Sequence, residues 1–441
     1  MTYDTASIYK IAFPVFISFL IGQIISITDV IFLSRLGTTA VGAAGLGATY
    51  FLAMSMIISG FSLGAQIIIS RRNGEQNLEK TGEVFYQGLL FLVLVSLFLI
   101  GISRIFASDV LKILIKDKQV FQATEEYVKW RVFGLLATSL IMMFRAFFVG
   151  IVKTFILQAS SIVMIFSNIF LNYALIFGHF GFEALGIKGA AIASVISEFV
   201  AAGVYVVYLC RKIEIKKYGF CKICYKNFGL LKSILDVSIW TMLQQFVSIS
   251  TWFLFFVAIE HLGKDELAIS NILRNSAGLP WSIVFAFGAV SGTMTSNLIG
   301  EGKSEEVIGA NKKIISLNVK VISATLFVFA LFYYPILRIY SDNTALINKA
   351  IPAYMTALTC YLPLFSGWIW FQAVAATGYT RRTMLIELIA MTFYMLYISV
   401  FILCLKMPLY ICMFADGVYN LVIFVMSYRF MRSEKWIGKK V

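Results

Sequence analysis

Apolar runs of about twenty residues or more recur along the chain, each closed by a short polar or charged break. Windows at 11–34, 42–70, 84–106, 130–150, 155–178, 186–210, 232–259, 266–299, 314–336, 351–377, 384–405 and 408–430 qualify as spanning helices. About 20 apolar residues at 1.5 Å rise are enough to cover the hydrocarbon of a bilayer. The pattern therefore predicts an all-α polytopic membrane protein of twelve transmembrane helices. The windows at 42–70 and 266–299 are long enough to run past the bilayer on one side. The first apolar segment is full length and is not followed by a small-residue cleavage site, so it is expected to stay in the membrane.

Glycine spacing divides the pattern in two. Gly60-x3-Gly64-x9-Gly74 recurs as Gly288-x3-Gly292-x9-Gly302, an offset of 228. Gly37 answers Gly263, and the stretch 150–154 answers 376–380, both at 226. Such echoes predict a duplication: an N-terminal bundle of six helices over 1–210, a cytoplasmic linker over 211–231 and a C-terminal bundle over 232–441. The two glycine pairs read as small-xxx-small seams where helices approach closely.

Composition agrees with the pattern. The 441 residues are 60 % hydrophobic and only 14 % charged, with a mean hydropathy of +0.85, whereas a globular chain carries about 25 % charge. A net charge of +14 would suggest nucleic acid in a soluble protein. Here the basic residues sit in short clusters between apolar runs, so no nucleic-acid partner is expected. Loops of one parity, together with the linker and the C-terminal tail, hold nearly twice the Lys and Arg of the others. Positive-inside then places both termini in the cytoplasm, in a multi-pass inner-membrane topology.

Enzyme signatures are missing. Residues 300–304 imitate the end of a phosphate-binding loop, but Asn297 stands where its first glycine belongs and an apolar helix precedes it. His179 and His261 are the only histidines, and no metal-ligand spacing surrounds either. Cys221 and Cys224 form a lone C-x-x-C in a basic loop, a weak zinc or redox signal. Neither an enzyme nor a cofactor is expected.

What remains is polar chemistry inside apolar helices. Asp29 lies six residues, about 9 Å, inside Arg35. Charge at a helix centre costs about 2.5–3.5 kcal/mol on insertion scales. Such an acid is retained if something binds or protonates it, unless it is merely hydrated or paired with Arg35. Gln23, Ser26 and Asp29 follow at three-residue steps; Asn168 and Asn172, and Ser194 and Glu198, are each spaced i, i+4. Each set shares a helix face. Their oxygens suit a monovalent cation, and a buried carboxyl can instead take a proton. The alternative for each Asn or Ser is an interhelical hydrogen bond worth about 0.6 kcal/mol. Glu198 is either a second titrating acid or a brace for the asparagines.

The C-terminal half differs: Phe255 stands 226 residues after Asp29. Gln244, Gln245, Asn271, Arg274, Asn275, Trp368 and Gln372, with Gln23 from the first half, are candidates for a substrate cavity. Amides and aromatics suit bulky amphipathic solutes. Arg274 either lines that cavity or pairs with an acid. Glu387 and Asp416 are the intramembrane acids of this half, unless Glu387 lies at the cytosolic boundary near Arg381 and Arg382.

Pro14-x14-Asp29-x7-Gly37, the glycines at 60, 64 and 74, and the passage from Leu171 to Ser194 together resemble the multidrug and toxic compound extrusion (MATE) family, from Ser7 to Arg432. The resemblance implies two six-helix lobes forming a V around a central cavity. It also implies export of drugs, with H⁺ or Na⁺ as the coupling ion. Asp29 falls on the family's first-helix acid, Pro14 on the proline whose bend is proposed to respond to it, and Asn168 on the fifth-helix asparagine of an N-lobe cation site. Asn172 falls where that branch often has Asp, which shifts weight toward protons, and Ser194 falls where a hydroxyl contributes. Another branch places acids where Ser248 and Ser366 stand, so C-lobe coupling of that kind is not expected. The expected partners are small-molecule drugs and membrane lipids, with the protein acting as a monomer. A flippase for a lipid-linked sugar within the same superfamily, or a membrane scaffold whose polar stripes are only packing, are the alternatives.

Overall fold

The apolar runs form helices throughout the computed structural model, which describes residues 4–220 and 228–439 except for the side chains of Phe228, Phe253 and 362–364. Cys221 and Cys224 lie outside the described residues. In chain order the helices are α1 (Thr5–Ser34), α2 (Thr38–Gly74), α3 (Leu78–Leu114), α4 (Lys118–Arg131), α5 (Gly134–Gly150), α6 (Phe155–Phe177), α7 (Gly186–Lys212) and α8 (Phe228–Glu260). There follow α9 (Lys264–Ser276), α10 (Gly278–Gly300), α11 (Glu306–Leu331), α12 (Tyr333–Tyr340), α13 (Thr344–Ala376) and α14 (Thr380–Ile398). A π-helical turn over Ser399–Cys404 leads to α15 (Leu409–Cys412) and α16 (Phe414–Arg432).

Among the described residues ten helices are long and apolar enough to cross a membrane, or up to twelve if each of two bent pairs is one span. One pair is α4 with α5, bent by 49°; the other lies within α13, where the segments 344–361 and 365–376 meet at 44°. The expected span at 130–150 thus begins earlier, because the polar stretch forming α4 is helical although not apolar. The expected span at 266–299 is divided at Ala277: α9 carries Asp265, Glu266 and Arg274, and α10 alone has the length and hydropathy to cross. Large apolar side chains point outward, with Phe98 66 %, Ile113 82 % and Phe327 69 % exposed. Water would not tolerate such a surface and lipid would.

The internal repeat is written into the turns at a single offset of 226. Gly37 and Gly263, Gln76 and Gly302, Val152 and Gly378, and Phe180 and Lys406 all have positive φ. Asp117 and Asn343, again 226 apart, cap α4 and α13 by accepting hydrogen bonds from backbone N–H groups. The hydrogen bonds from the N–H groups of Glu75, Gln76 and Asn77 recur residue for residue at Glu301, Gly302 and Lys303. This corrects the 228 offset of the glycine triplets. Gly74 closes α2 as Gly300 closes α10, so the counterpart of Gly302 is Gln76, which adopts the same conformation without being glycine.

Contacts gather the chain into two units, Ile17–Met242 and Met1–Phe16 with Leu243–Val441, so that α1 and α8 each contribute to both. In the first unit α2 packs on α3, α4 and α5, and α6 packs along α7. Gly60 and Gly64 form the close seam expected of them. A Cβ at Gly60 would lie 2.5 Å from the Met242 Cα, and one at Gly64 2.6 Å from the Ser238 Cα. Across that seam Thr241 Oγ1 donates to the Gly60 carbonyl at 2.6 Å and Ser238 Oγ to the Phe61 carbonyl at 3.2 Å. In the second unit α13 packs on α16 and α10, and α14 on α16. Buried polar groups pair there across α10 and α11, where Asn311 Nδ2 donates to Thr295 Oγ1 at 2.8 Å and Ser291 Oγ donates to Asn311 Oδ1 at 2.5 Å.

Candidate functional site

In the first unit α1 brings Asp29 to within about one and a half turns of its C-terminal end at Ser34. α1 is continuous through Pro14, whose ring removes the helical hydrogen bond to the Lys10 carbonyl. On α6, Asn168 and Asn172 are both fully buried, one turn apart. Asn172 Nδ2 donates to Asp29 Oδ1 at 2.6 Å and also to Asn168 Oδ1 at 3.1 Å. One amide nitrogen thus spends both its protons on oxygen acceptors. Asn172 Oδ1 and Asn168 Nδ2 are left buried without a protein partner. An orphaned buried amide atom costs about 1–3 kcal/mol, so the cluster is poised for something to complete it.

An apolar layer surrounds the outer end of this cluster. Leu33 of α1, Ala44 of α2, Tyr127 of α4, Ile176 of α6 and Ala190 and Ala191 of α7 form one buried core, with Trp130 and Phe177 packed against it. Leu33 lies one turn beyond Asp29 on α1, and Ile176 one turn beyond Asn172 on α6.

Glu198 on α7 is brought to a different partner. Arg131, the last residue of α4, grips it with two hydrogen bonds, Nη2 to Oε1 at 2.5 Å and Nη1 to Oε2 at 3.0 Å. The guanidinium stacks 3.6 Å from the centroid of the Phe51 ring. Gly134 makes the grip possible, because a methyl group there would overlap Arg131 and crowd Glu198. Glu198 therefore serves an ion pair, and that pair is close enough for both its charges to act on Asp29. Ser194 is buried one turn before Glu198 on the same helix, with its carbonyl accepting from Ser197 Oγ at 2.9 Å. Arg131 is the partner that the sequence pattern missed. It reads as one of many basic residues in an external loop, and the signal was Glu198 itself, since a buried acid requires a partner.

The substrate candidates fall on α1, α8, α9 and α13. Gln23 is exposed on α1, and Gln244 and Gln245 are half-buried on α8. Asn271 and Asn275 are exposed on α9 and donate to carbonyls of their own helix, at 3.0 and 2.9 Å. Trp368 and Gln372 lie on α13 over Gly288 of α10, where a Cβ would meet the indole ring. Of the two roles open to Arg274, pairing is the one observed. Its Nη2 lies 3.6 Å from Asp416 Oδ1 and donates to the Tyr394 hydroxyl at 3.2 Å. Its guanidinium stands 4.0 Å from the Trp252 ring and 4.3 Å from the Phe255 ring.

Helices long and apolar enough to span a membrane, set in two repeats with a half-buried carboxyl held by an amide, define a multi-pass membrane protein. Similarity narrows the class. The MatE family model matches residues 14–174. A probable multidrug resistance protein NorM of Thermotoga maritima is 25 % identical over 344 residues, covering 77 % of this chain and 73 % of that protein. A probable NorM of Pasteurella multocida is 24 % identical over 306 residues, covering 69 % and 66 %. Among solved structures, an outward-facing multidrug resistance MATE transporter of the MOP superfamily superposes with a TM-score of 0.87 at 18 % identity, over 97 % of this chain and 95 % of that one. A MOP superfamily transporter from Pyrococcus furiosus gives 0.88 at 18 %, over 98 % and 96 %. In sequence over its first part and in fold over nearly its whole length, the chain is thus similar to transporters of the MATE family.

Proposed function

We propose that this protein is a member of the MATE family and a secondary antiporter of the inner membrane, exporting amphipathic, cationic organic compounds in exchange for H⁺ or Na⁺ bound at Asp29. The observation that carries this reading is the Asp29–Asn172–Asn168 cluster with its two unanswered amide atoms. An ionised Asp29 only accepts hydrogen bonds, as it does from Asn172. Once protonated it can also donate, and Asn172 Oδ1 is the acceptor that a turn of the amide would offer. The same carboxyl and amide oxygens are the ligands that a Na⁺ would use.

Ion binding removes the penalty of a buried charge and alters how α1 packs. Pro14 supplies the weak point, because the helix has one hydrogen bond fewer there. Transport follows if the ion and the substrate favour different conformers; otherwise neither can shift the other's equilibrium. The excess of basic residues in one set of loops supports cytoplasmic termini. Arg274 has its charge answered by Asp416, which disfavours its use as a pyrophosphate clamp in a lipid-linked sugar flippase. Inverted membrane vesicles test the proposal. Wild-type vesicles should accumulate a cationic dye when energised, and Asp29→Asn vesicles with equal protein content should not. Dye accumulation at the wild-type rate in Asp29→Asn would overturn the assignment.

A further inference from the structure

A second buried acid lies in the C-terminal unit. Glu387 of α14 is fully buried, whereas Arg381 and Arg382, one to two turns earlier on the helix, are exposed. It therefore does not share the exposed face that those arginines occupy. Its Oε1 accepts two hydroxyl hydrogen bonds, one from Ser248 of α8 and one from Tyr419 of α16 at 3.0 Å. Its Oε2 is buried and unpartnered. Among the described residues no Lys, Arg or His pairs with it, in contrast to Glu198 and Asp416, which each hold an arginine.

The groups around it are few. α8 presents Ser248 and α16 presents Tyr419, the two side chains that act on the carboxyl. Tyr394 of α14 and Asp416 of α16 lie next to Tyr419. Cys360 and Tyr361 of α13 and Arg274 of α9 lie around Asp416. A pocket lined by Trp252, Trp281, Tyr394, Asp416 and Tyr419 reaches the tyrosine that donates to Glu387. A carboxylate without a counter-ion in such a place is costly. A carboxylic acid with its proton on Oε2, and its carbonyl oxygen accepting from both hydroxyls, carries no charge there and leaves only one hydroxyl to be answered.

The geometry points to Glu387 as a proton-binding site separate from Asp29, taking up H⁺ at Oε2 and exchanging it with the pocket past the Tyr419 hydroxyl. No other bond is made or broken. The site stands whether or not Asp29 couples transport, and the experiment separates the two. Infrared difference spectra of the full chain in lipid nanodiscs, recorded as the pH is stepped across the range from about 5 to 9 where buried carboxyls titrate, should contain a protonated-carboxyl C=O band. That band should vanish in Glu387→Gln and persist in Asp29→Asn. Tyr419→Phe keeps the acid and removes one donor to its carbonyl, so the band should move to higher frequency while still responding to pH. A band that is present but does not change with pH would overturn the proposal, since Glu387 would then be a fixed neutral acid. So would difference spectra that are the same in wild type and Glu387→Gln, or an unmoved band in Tyr419→Phe.

Discussion

Replacing Arg131 by methionine should unfold the first unit at markedly lower denaturant or temperature than wild type. Arg131 and Glu198 retain only 12 % and 9 % of their side-chain exposure, and the contact is bidentate at 2.5 and 3.0 Å. Removing one partner strands the other as an uncompensated buried charge, which costs about 3–5 kcal/mol. Loss of the stack on Phe51 adds about 1–2 kcal/mol for a desolvated cation over a ring. Removing both charges is a different matter, because the desolvation cost disappears along with the attraction. Arg131→Met combined with Glu198→Leu should therefore lie close to wild type or above it, as buried pairs replaced by apolar groups often do. A double-mutant cycle measured by unfolding in nanodiscs should then give a coupling of several kcal/mol with the sign of mutual rescue. An Arg131→Met protein within about 1 kcal/mol of wild type, the value of an exposed pair, would refute the reasoning, and so would a double variant as unstable as the sum of the singles.

Other outcomes follow from the same contacts. Gly134→Ala should weaken the same ion pair by pushing the guanidinium off its seat; unfolding of this variant should fall between wild type and Arg131→Met, and wild-type stability would contradict the close approach. Asn172→Asp adds a second carboxylate beside Asp29, so dye efflux should become stimulated by Na⁺, a gain that a purely structural asparagine would not permit. Val152 holds φ at +63°, where its counterpart is Gly378. A β-branched residue is strained there by about 1–2 kcal/mol, so Val152→Gly should raise the unfolding midpoint.

Fold and site were legible to different depths. Spans appear in the sequence because lipid imposes long apolar runs, and the duplication appears because glycine marks turns. The exact register did not, since Gln76 and Val152 adopt conformations for which glycine is the usual sign. α4 escaped because a largely polar helix has no long apolar run to show, and with it went Arg131. Asp29, Asn168 and Asn172 could be read from i, i+4 spacing and from the oddity of charge in an apolar run. Which acid meets which base could not, because Glu198 with Arg131 and Arg274 with Asp416 are joined across 67 and 142 residues of chain. Glu387 was ambiguous for a related reason: distance along a helix from Arg381 says nothing about which face the carboxyl occupies.

Purified protein in liposomes offers the most direct test of ion coupling at Asp29. Asp29→Asn should still exchange labelled substrate for unlabelled substrate across the membrane when no gradient is applied. It should fail to accumulate substrate against its own gradient when an H⁺ or Na⁺ gradient is imposed, whereas wild type does both. Gradient-driven accumulation by Asp29→Asn at the wild-type level would contradict the account.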